Sequence, residues 1–128
     1  MNYTLNLLEP GVLLTLRQQP SHGYDLVRRL KKLGMDFTDD PGAVYRCLNS
    51  LTRRGLVEYR QEKSLSGPPR KVYQPTLLGE RATADALQRM CATRDVLNRC
   101  VEAHRRTEAL ASQRTTEDST TVLSHAPS

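Results

Sequence analysis

The stretch Asp39–Tyr59, DDPGAVYRCLNSLTRRGLVEY, changes character partway along. It opens on two acids and a Pro-Gly, continues as a helix-like run ending in Arg53 and Arg54, turns at Gly55, and closes on the alternating Leu56-Val57-Glu58-Tyr59. Asp40 is a helix-capping residue type, and Pro41 suits the first helical position, where a missing N–H leaves nothing unbonded. At 100° per residue, Val44, Cys47, Leu48 and Leu51 gather on one side of this helix, while Gly42, Arg46, Asn49 and Arg53 gather on the other. The second side carries two guanidinium groups and one amide, the side chains suited to bidentate contacts with guanine and adenine edges in a major groove. Gly42 leaves room for the helix N-terminus to approach a phosphate.

Working outward, LVEYRQ alternates Leu56, Glu58 and Arg60 against Val57, Tyr59 and Gln61, as a strand does. The turn EKSLSGPP and a second strand, RKVYQ, follow. On the N-terminal side, HGYDLVRRLKKL reads as a helix with Ser21 as its cap and Gly34 as its stop. Its apolar face is Leu26, Val27, Leu30 and Leu33, with Arg28, Lys31 and Lys32 pointing away. Before it, LNLLEPGVLLTLRQ is apolar enough for a core helix if Pro10 lies in the first turn. Helix, helix and a basic two-stranded hairpin make a winged helix-turn-helix over residues 1–75. Lys63, Arg70 and Lys71 fall at or beside the hairpin tip, within reach of a neighbouring groove or phosphates.

The charge distribution agrees with a polyanion as partner. The chain of 128 residues has a formal net charge of +5. Residues 1–40 hold five basic and five acidic side chains, residues 41–75 seven and two, and residues 76–128 seven and seven, so the whole excess lies in 41–75. No apolar run approaches the roughly 20 residues of a membrane span, and MNYTLNLLEPG has neither the basic flank nor the cleavage pattern of a signal peptide, so a cytoplasmic protein is expected. Cys47, Cys91 and Cys100 are odd in number and without CxxC spacing, which indicates neither a disulfide framework nor a metal site. His22, His104 and His125 lack ligand spacing, and no nucleophile elbow or Gly-rich phosphate loop is present. No catalytic residue, metal or cofactor is expected. A rival use of the same fold is protein–protein contact, with the basic face meeting an acidic partner.

Three segments, SHGYDLVRRL, PGAVYRCLNSLTRRGLVEY and SGPPRKVYQPTLLGE, resemble in order the signatures of the PadR family of winged-helix transcriptional regulators. The likeness covers roughly residues 5–82, and its most specific part is the Gly-Pro-Pro-Arg-Lys wing. Pro75 departs from it, standing where the family usually has another residue before the Thr. The resemblance implies a homodimer on a palindromic operator in double-stranded DNA, usually repressing, and for some members a small-molecule effector that releases it. It further implies that His22, Gly23 and Tyr24 open the second helix, that Tyr24, Gly42, Ala43, Tyr45 and the polar face of the third helix meet DNA, and that Arg70 and Lys71 form the wing contact. Trp is absent and aromatics are 5%, so no stacking pocket for a planar effector is visible in the sequence.

From Thr76, a capping residue type, the chain reads as one long helix to about residue 112. Leu87, Met90, Leu97 and Val101 recur at spacings of 3, 7 and 4, the seam of an intermolecular helix contact, with Arg94 interrupting it. Short-tailed members of the family are similar in using one C-terminal helix for dimerisation; a helix folded back on its own winged domain is the alternative. The Ser/Thr-rich segment 113–128 is expected to be a disordered tail.

Overall fold

Helix α1 (Leu8–Gln18) begins two residues before Pro10, so the proline occupies the first turn, where no intrahelical bond is lost. The computed structural model that establishes this describes residues 6–124, with side chains through Thr116. Helix α1 buries Val12, Leu13 and Leu16. Its C-terminal carbonyls are satisfied from α2 (Gly23–Lys32): Arg29 donates through Nη1 to the Gln19 carbonyl at 2.8 Å and through Nη2 to that of Thr15 at 2.6 Å. Both charge-assisted bonds suit a cation at the negative end of a helix dipole.

Helices α2 and α3 (Pro41–Arg53) end by the same device. Gly34 and Gly55 adopt φ of 101° and 76°, the left-handed region that glycine enters without a Cβ clash. After each, the next N–H turns back: Met35 donates to the Leu30 carbonyl at 2.9 Å, and Leu56 to that of Leu51 at 2.9 Å. Leu26, Val27 and Leu30 of α2 pack with Val44, Leu48 and Leu51 of α3 against α1, and Val57 and Tyr73 close the core.

Three local expectations are corrected. Leu33 is not part of the apolar face: it is the C-cap of α2, 54% exposed, because the chain reverses at Gly34 and Met35 takes the inward place. Ser21 does not cap α2; His22 holds the N-cap position, and the Ser21 hydroxyl donates to the His22 carbonyl at 2.9 Å. Asp40 does stand at the N-cap of α3, with its backbone carbonyl accepting from Ala43 at 3.1 Å, but its carboxylate makes no cap bond and turns to Arg46 instead.

The wing is larger than a hairpin. Strands β1 (Ser21–His22), β2 (Val57–Glu62) and β3 (Arg70–Pro75) form an antiparallel sheet in the order β1-β3-β2. Ser21 pairs with Tyr73, which in turn pairs with Tyr59. Because β3 is central, Val72 and Tyr73 are both buried, whereas edge strand β2 buries only Val57. Two residues are too few to show a strand period in sequence, which is why β1 is visible only in its pairing.

Helix α4 runs Leu77–Ser124. Thr76 caps it, its hydroxyl accepting from the Gly79 N–H at 3.1 Å while donating to the Gly55 carbonyl at 2.6 Å, and the Thr76 N–H reaches the Leu56 carbonyl at 3.1 Å. One residue thus ties the start of α4 to the end of α3. By contacts the chain divides into two compact units, Met1–Gln88 and Arg89–Ser128, so the division falls inside α4 rather than at residue 75. The reason is packing: Gly79, Thr83 and Ala86 are buried on one face of the first turns. The helix also continues past residue 112, where a disordered tail was expected. No Gly or Pro interrupts it before Pro127, and Thr115 and Thr116 bond back to the Ala111 and Ser112 carbonyls at 3.0 Å each. Residues 125–128 of that expected tail lie outside the described residues.

Candidate nucleic-acid interface

The polar side of α3 is exposed at Arg46, Asn49 and Arg53, opposite the buried Val44, Leu48 and Leu51. That opposition follows from the helical period alone, since three fully buried aliphatic side chains fix which way the helix faces. Arg46, Asn49, Thr52 and Arg53 line one shallow surface cleft together with Tyr59 and Lys71 from the wing. The Lys71 ammonium lies 4.5 Å from the centroid of the Tyr59 ring, a cation–π contact, and Tyr59 stacks obliquely on Tyr73 with centroids 5.6 Å apart. The wing is thereby braced along its strands by aromatic packing that also fixes the position of a cation.

A neighbouring cleft joins the start of α2 to the wing. His22, Gly23, Tyr24, Tyr45, Arg70 and Lys71 contribute to it, and Lys71 belongs to both clefts. Tyr24 is 71% exposed. Tyr45, half-exposed, lies so closely over Gly23 that a Cβ there would be 2.5 Å from the ring. Gly23 is therefore the seat of the Tyr45 ring. His22 Nδ1 stands 3.4 Å from the Lys71 carbonyl, a long contact between the same two elements.

Among the described residues, Arg53, Lys63, Arg70 and Lys71 have no acidic partner within ion-pair distance, whereas Arg46 pairs with Asp40 at 3.4 Å and Arg54 with Glu9 at 2.8 Å. Arg54, beside Arg53 in sequence, thus serves the contact between α1 and the end of α3, and the Glu9 carboxylate holds its pKa up. The four cations without acids keep their full charge available to a polyanion.

Most residues picked out by sequence come together here. Tyr24, Tyr45, Arg46, Asn49, Arg53, Arg70 and Lys71 line the two adjoining clefts. Gly42 and Ala43 sit half-buried in the first turn of α3, and Lys63 stands in the turn between β2 and β3, outside both clefts. Sequence reasoning missed Thr52 and Tyr59 as members of this surface, and Gly23 as the seat of Tyr45. Tyr59 carried a signal in its strand alternation, but only the cross-strand register shows Lys71 over its ring. The seam residues Leu87, Leu97 and Val101 are 39%, 47% and 48% exposed, and Met90 is half-buried. Among the described residues no helix is long and apolar enough to cross a membrane, and no group of three or more His, Cys, Asp or Glu side chains is placed to hold a metal.

Two helices, a three-stranded wing and a cationic surface spanning α3 and β3 define a winged helix-turn-helix protein. Residues 12–85 match the model of the transcriptional regulator PadR-like family, and the chain belongs to that family of transcriptional regulators, which are not enzymes. Among solved structures it resembles a PadR-like transcriptional regulator from Bacillus cereus, with 27% identity and a TM-score of 0.66, covering 74% of this chain and 91% of that one. A PadR family regulator from Eggerthella lenta is similar at 27% identity and a TM-score of 0.66, with 75% and 82% covered. Bacillus subtilis PadR, solved in complex with operator DNA, matches at 26% identity and a TM-score of 0.58, over 65% of this chain and 48% of that one. No curated protein matches.

Proposed function

We propose that this regulator is a cytoplasmic repressor that binds a palindromic operator in double-stranded DNA as a homodimer. The observation that carries the reading is the convergence of Arg46, Asn49, Arg53, Tyr59 and Lys71 on one exposed surface. In this reading α3 enters the major groove, with Arg46 and Asn49 at base edges. Arg53, at the C-terminal end of α3 and about two turns beyond Arg46, meets a phosphate, as do Arg70, Lys71 and Lys63 of the wing, and Tyr24 and Tyr45 flank the backbone at the start of α2 and α3. Gly42 and Ala43 let the first turn of α3 approach the duplex. The operator complex of the Bacillus subtilis relative supports the choice of DNA over an acidic protein.

One winged helix covers a single half-site. Two copies spaced about one helical turn of DNA apart, roughly 34 Å, combine their energies on a palindrome. The half-exposed Leu87, Leu97 and Val101, with Met90, supply an apolar seam for that pairing on α4. Selecting fragments from random and genomic DNA with the purified protein tests the reading. A two-fold-symmetric consensus, bound with a steep dependence on salt, is the expected result. Binding without sequence preference, or none with a salt slope, would assign the surface to another partner.

A further inference from the structure

The Arg46 side chain does not reach freely outward from α3. Its guanidinium folds back along the first turn to the Asp40 carboxylate, Nη2 to Oδ2 at 3.4 Å. It passes over Gly42 on the way: a Cβ at that glycine would meet Arg46 Nη1 at 3.0 Å and Asp40 Oδ1 at 3.4 Å. Asp40 meanwhile holds the N-cap position without using its side chain as a cap, so its carboxylate is committed to Arg46 and not to the free N–H groups of the helix. Arg46 is also the single cation of the α3 face with an acidic partner among the described residues, since Arg53 has none.

We infer that Asp40 is a specificity-determining residue that holds Arg46 over Gly42 until a cognate base edge competes for it. The inference rests on the DNA-binding reading above. Its physics is a comparison of two weak partners with one strong one. An exposed ion pair is comparable in strength to a single salt-screened phosphate contact, so random DNA gains little by displacing Asp40. A guanine edge offers two aligned acceptors to the guanidinium, and that bidentate contact outcompetes the carboxylate. While paired, Arg46 is neutralised and releases no counterion on non-specific DNA. Gly42 leaves room for the folded-back guanidinium, since a Cβ there would press on its tip and make it shift by a few tenths of an ångström.

Replacing Asp40 by Asn tests this, as Asn keeps the N-cap preference. Binding is measured by titration over a salt series on the selected operator and on random duplex. Asp40→Asn should bind random DNA about 3- to 10-fold tighter, with a log K against log salt slope steeper by about one, while operator affinity changes less. The ratio of the two affinities therefore falls. The same substitution in an Arg46→Ala background should have little effect on random DNA. If Asp40→Asn raises random binding equally with and without Arg46, Asp40 merely repels phosphate and the inference fails. Unchanged affinity and slope in the single variant would also overturn it. Wild-type protein that selects no operator would bring down the DNA-binding reading itself, and this inference with it.

Discussion

The hydrogen that serves Gly79 as a side chain is all that its place in α4 can hold. A Cβ there would collide with the Leu56 carbonyl oxygen and crowd Pro75, because the first turn of α4 lies directly on the backbone that leaves α3. Backbone cannot step aside as a side-chain tip can, so Gly79→Ala should destabilise the winged domain by about 1–3 kcal/mol or more, measured by urea denaturation. An unchanged midpoint would mean that α4 does not dock so closely. Burial, and secondarily the nearby Glu9 carboxylate, pushes the Cys47 thiol up to about 11 from its ordinary 9.0. A raised pKa means the fold prefers the neutral thiol, so this stabilisation is present below about pH 9 and is lost as pH rises through 11. At pH 8 a thiol-reactive disulfide should label the exposed Cys91 and Cys100 rapidly and the part-buried Cys47 more slowly, with the difference lost in denaturant. Three equal rates in native protein would contradict this. At the interface, Arg46→Ala should cost about 1–3 kcal/mol on the operator and much less on random DNA, read by parallel titrations. Equal losses would make Arg46 a phosphate contact.

At the scale of elements, the wing is where charge and packing are joined. Arg70 is paired in register with Glu62 next to the hairpin loop, and Lys71 lies over Tyr59. Changing Arg70 and Lys71 together to Ala should weaken binding to all sequences alike and flatten the salt dependence by about one to two units. Tyr59 and Tyr73 still stack after the change, and β3 stays bonded to both neighbours, so the far-ultraviolet circular dichroism should be unaltered. A loss confined to one sequence, with the salt slope intact, would show that the wing reads bases. The link between α1 and α2 is a different case. Arg29 serves two carbonyls at the end of α1, and Arg29→Met should cost about 1–3 kcal/mol of stability, because both charge-assisted bonds go and the Thr15 carbonyl keeps only the longer contact from the Gln19 N–H at 3.3 Å.

For the whole molecule the decisive quantity is the number of winged domains held at one site. Leu87 and Leu97 leave apolar area in water that a second copy can cover, and Leu87→Glu with Leu97→Glu places charges on that seam. The expected product is a folded monomer with lost operator affinity, seen by light scattering and by titration, because a lone half-site forfeits the combined energy of two. Removing residues 114–128 should alter neither property. A double variant that stays dimeric, or a monomer that binds the full operator as before, would overturn the role given to α4.

Features with local causes were legible in the amino-acid order. The buried and exposed sides of α3, the first-turn prolines of α1 and α3, the glycine stops at Gly34 and Gly55, and the Thr76 cap each depend on residues within one or two helical turns, where periodicity and backbone preference act. The membership of Arg46, Asn49 and Arg53 in one face follows from the same period. Contacts set by distant parts of the chain were not legible. The pairing of Ser21–His22 with β3, the seat of Tyr45 on Gly23, the Arg29 clasp on α1 and the collision that forbids a side chain at Gly79 arise where segments far apart in sequence meet, and no local period encodes a meeting. The Asp40 carboxylate is the clearest instance. Its residue type and position announce a helix cap, yet the side chain turns to Arg46, because two competing partners lie within reach and only their three-dimensional geometry decides between them.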